Sequence, residues 1–210
     1  MIVHSVSSST TTPDAKATAK RERILRAAVE VFAKNGFFAS RVSDVAKEAG
    51  VADGTIYLYF ASKEDLLVSI FREKVHQHLD ALRATLLEAS TPEERIRLAI
   101  SHHLKALGAD RPLAIVFQVE LRQSLKFMSF LTREEVAVYL SILKELVEDG
   151  QRVGKFRNEF HPQLIANSIF GIVDELVTSW VLSEKEYVLS DQATEISDFV
   201  LYGLTTEAGS

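Results

Sequence analysis

The sequence predicts an all-α protein of about nine helices, and three observations carry that reading. From Lys20 almost to the C-terminus, apolar residues recur at helical spacing. No segment alternates apolar and polar residues with period two between turn signals, and no internal repeat is present. Helix start and stop signals divide the chain into helix-length pieces.

In chain order, residues 1–17 are Ser/Thr-rich and nearly devoid of apolar surface, so they are expected to form a disordered arm. Ile24, Ala28, Val31 and Phe32 form the stripe of a first helix over about 20–35, stopped by Asn35-Gly36. Val42, Val45, Ala46 and Ala49 make a short helix ending at Gly50, and a shorter one covers 54–60 with Asp53 as its expected N-cap. Ser62 caps a long helix, 63–88, that carries Leu66, Leu67, Ile70, Phe71, Val75, Leu79, Leu82 and Leu86. Thr91-Pro92-Glu93-Glu94 combines a Thr N-cap, Pro at the first helical position and the Glu of a capping box. The helix it opens carries Ile96, Ile100, Leu104 and Leu107. A shorter apolar stretch runs from Pro112 to Leu125. Thr132 with Glu135 repeats the capping box and opens a helix ending near Gly150 or Gly154. Helices over 162–182 and 190–205 complete the set.

Composition narrows the function. With 210 residues, 47% of them apolar, the chain is long enough to bury a sizeable core. It has no Cys, which excludes a disulfide scaffold, a thiolate zinc site and a Cys nucleophile. No apolar run approaches the roughly 18–20 residues of a membrane span, and the first residues lack a secretory apolar core, so a cytoplasmic location is expected. The net charge of −5 is unevenly spread: residues 1–60 carry 8 Lys+Arg against 6 Asp+Glu, and residues 61–210 carry 16 against 23. A slightly basic head on an acidic body is compatible with a DNA-binding module joined to a non-binding domain.

The stretch SRVSDVAKEAGVADGTIYLYFASKEDLL from Ser40 to Leu67 carries the most information. A seven-residue helix, a turn containing Gly and a second short helix describe a helix-turn-helix. Val45, Ala46 and Ala49 suit a tight helix crossing, Gly50 the left-handed turn, and Val51 and Ile56 the buried side of the second helix. The words AGVADGTIYLYF and SKEDLL at this spacing, near the start of the chain, closely resemble the TetR family of bacterial transcriptional regulators. The resemblance implies an N-terminal three-helix helix-turn-helix domain over 18–62 and a helical ligand-binding and dimerisation domain over 63–210. It also implies DNA contacts from Arg41, Ser43, Gly54, Thr55, Tyr57, Leu58 and Tyr59, and a phosphate contact from Lys63. The residue types agree with those roles: Thr55 and the tyrosine hydroxyls donate to phosphates, Leu58 suits a thymine methyl, and Lys63 supplies charge. Phe60 reads as core.

In the body, the 162–182 helix has an apolar arc of nearly half its circumference, from Ile165 to Val181, opposite Asn167, Gly171, Asp174, Glu175 and Thr178. So wide an arc implies burial on more than one side. Ile196, Phe199, Val200 and Leu204 give the last helix a second apolar face. The resemblance implies that these two helices pair with their symmetry mates in a homodimer. Two recognition helices would then stand about 34–36 Å apart, matching a palindromic operator in double-stranded DNA. LAIVFQVELRQS at 113–124 and FGIVDELVTSWV at 170–181 further resemble FadR-type members of the family. That sub-group implies repression of fatty-acid degradation genes, relieved by long-chain acyl-CoA as an effector, with no cofactor. The expected pocket residues are Leu104, Leu107, Phe117, Leu121, Arg122, Phe127, Phe130, Phe170, Val173 and Trp180. Arg111, Arg122, Lys126 and Arg133 are candidates for the CoA phosphates, weighed against an ordinary solvated basic face. The 63–88 helix, which joins the two domains, is the expected transmitter of the ligand signal.

Catalysis has little support. Nucleophile-elbow, Walker and dinucleotide-binding motifs are missing from the sequence. His76 and His78 are two apart and His102 and His103 adjacent, so neither pair has the i, i+4 spacing of helical metal ligands. The alternatives are a regulator of the same fold answering another apolar small molecule, and an architectural DNA-binding protein, against which the large helical body argues.

Overall fold

The structure is a computed structural model that describes residues 13–123 and 135–206. Among the described residues there are nine α-helices and a single isolated β-bridge, Phe156 to Thr205. The head is built from α1 (Pro13–Asn35), α2 (Val42–Glu48), α3 (Asp53–Ile56) and the start of α4 (Lys63–Leu86). The body adds α5 (Pro92–Gly108), α6 (Arg111–Ile115), α7 (Glu135–Arg152), α8 (Pro162–Leu182) and α9 (Ala193–Leu204). Helix α6 runs directly into a π turn (Val116–Glu120) and a 3-10 turn (Leu121–Gln123), and a 3-10 turn (Leu189–Gln192) leads into α9.

Start and stop signals place most elements where the sequence put them. The Ser62 hydroxyl accepts from the Asp65 N–H at 3.1 Å, and Thr91 and Glu94 form the reciprocal capping box of α5. Gly36 and Gly50 take φ of 79° and 62°, a left-handed backbone that favours glycine over side chains with a Cβ.

Three local expectations are corrected. Helix α1 begins at Pro13, inside the segment expected to be an arm, because Pro is tolerated in a first turn and Ala15, Lys16, Ala17, Ala19 and Lys20 are strong helix formers. The N-cap of α3 is Ala52, not Asp53; Asp53 is the first helical residue, where its carboxylate complements the positive end of the helix dipole. Helix α3 spans only four residues, so Tyr57, Leu58 and Tyr59 lie on the turns beyond it. The capping box expected at Thr132 falls outside the described residues.

Two apolar clusters hold the molecule together. The body cluster joins α4, α5, α7, α8 and α9 around Leu82, Ile96, Ile100, Leu143, Val147, Val173 and Val177. The head cluster joins Ile24, Phe32, Phe37, Val45, Ile56, Phe60 and Leu66 with three residues from further along the chain, Leu113, Val116 and Leu121. The α6 segment is therefore part of the head's core, although the sequence assigned all of 63–210 to the body. Burying a Val or Leu side chain contributes about 1.5–3 kcal/mol, so three of them bind head and body firmly.

By length and composition alone α8 is able to cross a membrane, contrary to the expectation that no apolar run approaches that length. Here one side of it, Ala166, Ile169, Val173, Val177, Trp180 and Val181, is buried in the body. Its Asp174 and Glu175 interrupt the apolar sequence.

Candidate functional site

The helix-turn-helix is built as its sequence demands. Val45, Ala46 and Ile56 are buried, Gly50 turns the chain, and the Val51 N–H donates to the Ala46 carbonyl at 2.9 Å to close the turn. What remains outward is a continuous polar and aromatic surface: Arg41, Ser43, Gly54, Tyr57 and Leu58 are exposed, with Thr55 and Tyr59 half-buried beside them. Leu58 is 81% exposed, an apolar side chain with no core to serve. A Cβ at Gly54 would meet no atom within 4 Å, so the bare backbone there is accessible from solvent. Phe60 is buried as expected, beneath the Arg21 guanidinium 5.1 Å from its ring centre.

Lys63, expected to contact phosphate, is engaged within the protein. Its ammonium donates to the carbonyls of Phe37 and Ser40, both at 2.9 Å, and lies 4.5 Å from the centre of the Phe37 ring. Those bonds pin the α1–α2 turn, and its charge sits behind the exposed surface.

The body holds a cavity of about 610 Å³ that is partly open to solvent. Helix α4 supplies Phe71, Val75, His78 and Leu79; α5 supplies His102, His103 and Leu107; and the α6 segment supplies Leu113, Phe117, Gln118 and Arg122. Val136 and Tyr139 of α7 and Phe170 and Asp174 of α8 close it. Of the pocket residues expected from sequence, Leu107, Phe117, Arg122 and Phe170 line this cavity. Leu104 and Val173 instead fill the body core, and Leu121 the head core. Trp180 is buried with its indole N–H donating to the Tyr187 carbonyl at 3.0 Å. Phe127 and Phe130 lie outside the described residues, as do Lys126 and Arg133. An apolar stripe shows which side of a helix avoids water; it does not distinguish a side facing a neighbouring helix from one facing a hollow.

The basic residues divide in the same way. Arg111 donates to the carbonyls of Val181 and Ser183, each at 3.0 Å, and its guanidinium stacks 5.0 Å from the Trp180 ring centre. It thus closes the C-terminal end of α8, where a cation complements the helix dipole. Arg122 pairs with Asp174 at 2.6 and 2.8 Å; Gln118 also donates to Asp174 at 3.1 Å and accepts from Thr178. Asp174, which the sequence places on the polar stripe of its helix, is 19% exposed and lines the cavity. Glu175, its neighbour, is exposed and accepts from Ser179.

An unanticipated cluster of rings forms one side of the cavity. His78 lies 4.6 Å from His102 and 5.6 Å from His103, and Tyr139 lies 5.5 Å from His103 and 5.8 Å from Phe170, all between ring centres. Burial lowers His78 to about 3 and His103 to about 4, lowers His102 and raises Tyr139, so the cluster is neutral at pH 7. The sequence offered a signal: His103 falls on the same face as Ala99 and Ile100, and Tyr139 on that of Ile142 and Leu143, polar residues set within apolar stripes. Among the described residues no group of three side chains suits a metal ion.

Beneath the cavity, the α6 segment reaches the head. The Glu120 carboxylate, buried, accepts the Phe37 N–H at 2.6 Å at the turn that Lys63 pins from the other side.

Comparisons with known proteins agree with this architecture. The family described as "Bacterial regulatory proteins, tetR family" matches residues 24–70, and "YsiA-like protein, C-terminal region" matches 71–203. The chain is 40% identical to the fatty acid metabolism regulator protein of Bacillus subtilis over 185 residues, 88% of this chain and 95% of that one. Among solved structures, FadR of Bacillus subtilis in complex with stearoyl-CoA has a TM-score of 0.82 at 40% identity, covering 87% of this chain and 98% of the other. The fatty acid degradation regulator FadR of Bacillus halodurans has a TM-score of 0.84 at 40% identity, covering 92% and 97%. The exposed helix-turn-helix, the hollow helical body and these matches along nearly the whole chain place it in the TetR family of bacterial transcriptional regulators.

Proposed function

We propose that this chain is a cytoplasmic transcriptional repressor that binds a palindromic operator as a homodimer and leaves it when a long-chain acyl-CoA fills the body, controlling genes of fatty-acid degradation. The observation that carries the reading is the largely apolar cavity in a chain 40% identical to a fatty acid metabolism regulator over 95% of that protein's length. A volume of about 610 Å³ lies within the usual range for small-molecule pockets, roughly 300–1,000 Å³. Lys74 and Arg122 contribute partly exposed cationic side chains to the lining, where the phosphates of CoA would meet solvent.

DNA binding falls to Arg41, Ser43, Gly54, Thr55, Tyr57, Leu58 and Tyr59, with Lys63 holding the turn behind them and adding charge. Pairing falls to α8 and α9: Leu164 and Leu182 lie along one exposed side of α8, and Phe199 and Tyr202 along α9, each more than half exposed. Isologous contact through such a face gives two-fold symmetry, and hence two recognition helices for two successive major grooves.

Thermal unfolding of the purified protein with palmitoyl-CoA, palmitate and CoA tests the effector. Stabilisation by palmitoyl-CoA beyond that of either part, with release of a duplex selected from a random library, is the expected result. No stabilisation at saturating palmitoyl-CoA overturns the acyl-CoA reading and favours another apolar ligand.

A further inference from the structure

We propose that the Tyr139 hydroxyl and the His103 imidazole form a two-donor reader for the carbonyl oxygen of an acyl thioester. The inference rests on the acyl-CoA reading above and adds the residues by which the cavity tells a thioester from a free acid and from a plain alkyl chain.

Both side chains are more than nine-tenths buried, and both line the cavity. Neither the Tyr139 hydroxyl nor either ring nitrogen of His103 has a hydrogen-bond partner within the protein. Buried polar atoms ordinarily find partners, and one kept unpaired on a cavity wall is explained by a partner that arrives with the ligand. The two rings are neighbours, their centres 5.5 Å apart, on residues that both line the cavity.

The charge state selects what that oxygen belongs to. Burial keeps His103 neutral, with one N–H to donate, and Tyr139 keeps its phenolic proton. The pair therefore offers two neutral donors and no cation. Of the cavity's cations, Lys74 is partly exposed to solvent and Arg122 is held by Asp174, and Asp174 lies near enough to act electrostatically on His103. A carboxylate brought here would set a second anion near Asp174 against two donors that carry no charge. A thioester carbonyl is uncharged and accepts both donors. Phe71, Val75, Leu113 and Phe117 continue the wall with apolar surface suited to the chain attached to it.

The test compares palmitoyl-CoA with S-hexadecyl-CoA, a thioether that keeps the chain and the nucleotide but lacks the carbonyl, by calorimetric titration of the full chain. The wild type is expected to prefer the thioester by about tenfold or more. In Tyr139→Phe and in His103→Phe, which keep a ring in the cluster, the preference is expected to shrink to within about threefold while both compounds still bind. Tyr139→Phe also removes an unpaired buried hydroxyl, so the ligand-free variant should melt no lower than wild type, a result that a merely structural tyrosine would not give. Equal affinity of the wild type for both compounds, or an undiminished preference in both variants, overturns the reader and leaves acyl-CoA binding standing. Failure of both compounds to bind the wild type overturns both readings.

Discussion

Tyr57 and Leu58 face solvent beyond the four-residue α3, and neither contributes to the head's core. Replacing Tyr57 by Ala removes aromatic surface and a hydroxyl from the exposed surface proposed to meet DNA and should leave the fold intact. Operator affinity is expected to fall by about tenfold, equivalent to about 1.4 kcal/mol, with the melting temperature within a degree or two of wild type. A binding titration against a library-selected duplex reads this directly, and unchanged affinity would remove Tyr57 from the interface. His103 is the opposite case, a residue whose environment decides its behaviour. Its pKa is lowered to about 4 by burial, while in the unfolded chain it titrates near 6.5. Between those values only the unfolded state takes up the proton, so the stability present above pH 6.5 is lost as pH falls towards 4. His78, His102, Tyr139 and Asp174 surround it, and the last opposes the shift. At pH 5 the loss from His103 comes to about 2 kcal/mol. His103→Phe should therefore flatten the decline in melting temperature between pH 7 and pH 5, and an unaltered slope would show that the proton goes elsewhere. The exposure of Arg41, Ser43, Gly54, Tyr57 and Leu58 was legible in the sequence because the motif dictates which side chains its two helices must bury. The cavity was legible only in part: Leu107, Phe117, Arg122 and Phe170 line it but Leu104, Leu121 and Val173 fill core instead, because 3.6-residue periodicity reports apolar faces without saying what they face.

Elements were read well where local chemistry sets their ends. Ser62, Thr91 with Glu94, and the left-handed glycines act through neighbouring backbone atoms, so no tertiary information is needed to place them. The start of α1 was missed because the Ser/Thr-rich composition of the first residues outweighed the helix-forming Ala and Lys that follow Pro13. The π turn was missed for a different reason. Its extra residue per turn is imposed where Val116 enters the head's core while Phe117 and Gln118 reach the cavity, a division made by tertiary packing. Helix α7 shows how a local stop signal acquires a packing role. Gly154 supplies the left-handed residue after the helix, whereas Gly150, still helical, lies under Phe156, whose ring would stand 2.0 Å from an added Cβ. Phe156 is fully buried and has no room to withdraw. Gly150→Ala should cost about 1–3 kcal/mol despite alanine's higher helix propensity, visible as a lower melting temperature. A neutral or stabilising outcome would mean that the Phe156 loop repacks freely.

At the scale of the whole molecule, the question is how a filled body alters a surface on the head. The sequence pointed to the long helix α4, which is shared by both parts. The structure shows a second connection of greater specificity. One continuous segment, Leu113 to Arg122, places Gln118 and Arg122 on the cavity, Val116 and Leu121 in the head's core, and Leu113 and Phe117 against both. Glu120, on the same segment, grips the Phe37 N–H beside Gly36, whose position nearest an added side chain is the Glu120 carboxylate itself. Lys63 binds the carbonyls of Phe37 and Ser40 from the other side, immediately before Arg41 caps α2. A ligand that displaces Phe117 or draws Arg122 from Asp174 thus moves a segment rigidly tied to the turn that orients the helix-turn-helix. Coupling of this kind requires that the ligand discriminate between two arrangements of the segment, and it is measured as the ratio of operator affinities without and with ligand. Glu120→Ala cuts the polar tie and leaves the cavity wall unchanged. Palmitoyl-CoA should bind it with wild-type affinity, while the ratio of operator affinities falls by about tenfold, or about 1.4 kcal/mol of coupling. Parallel titrations of ligand and duplex separate the two effects. A full loss of operator release with intact ligand binding would make this tie the main route, and full retention would return the role to α4.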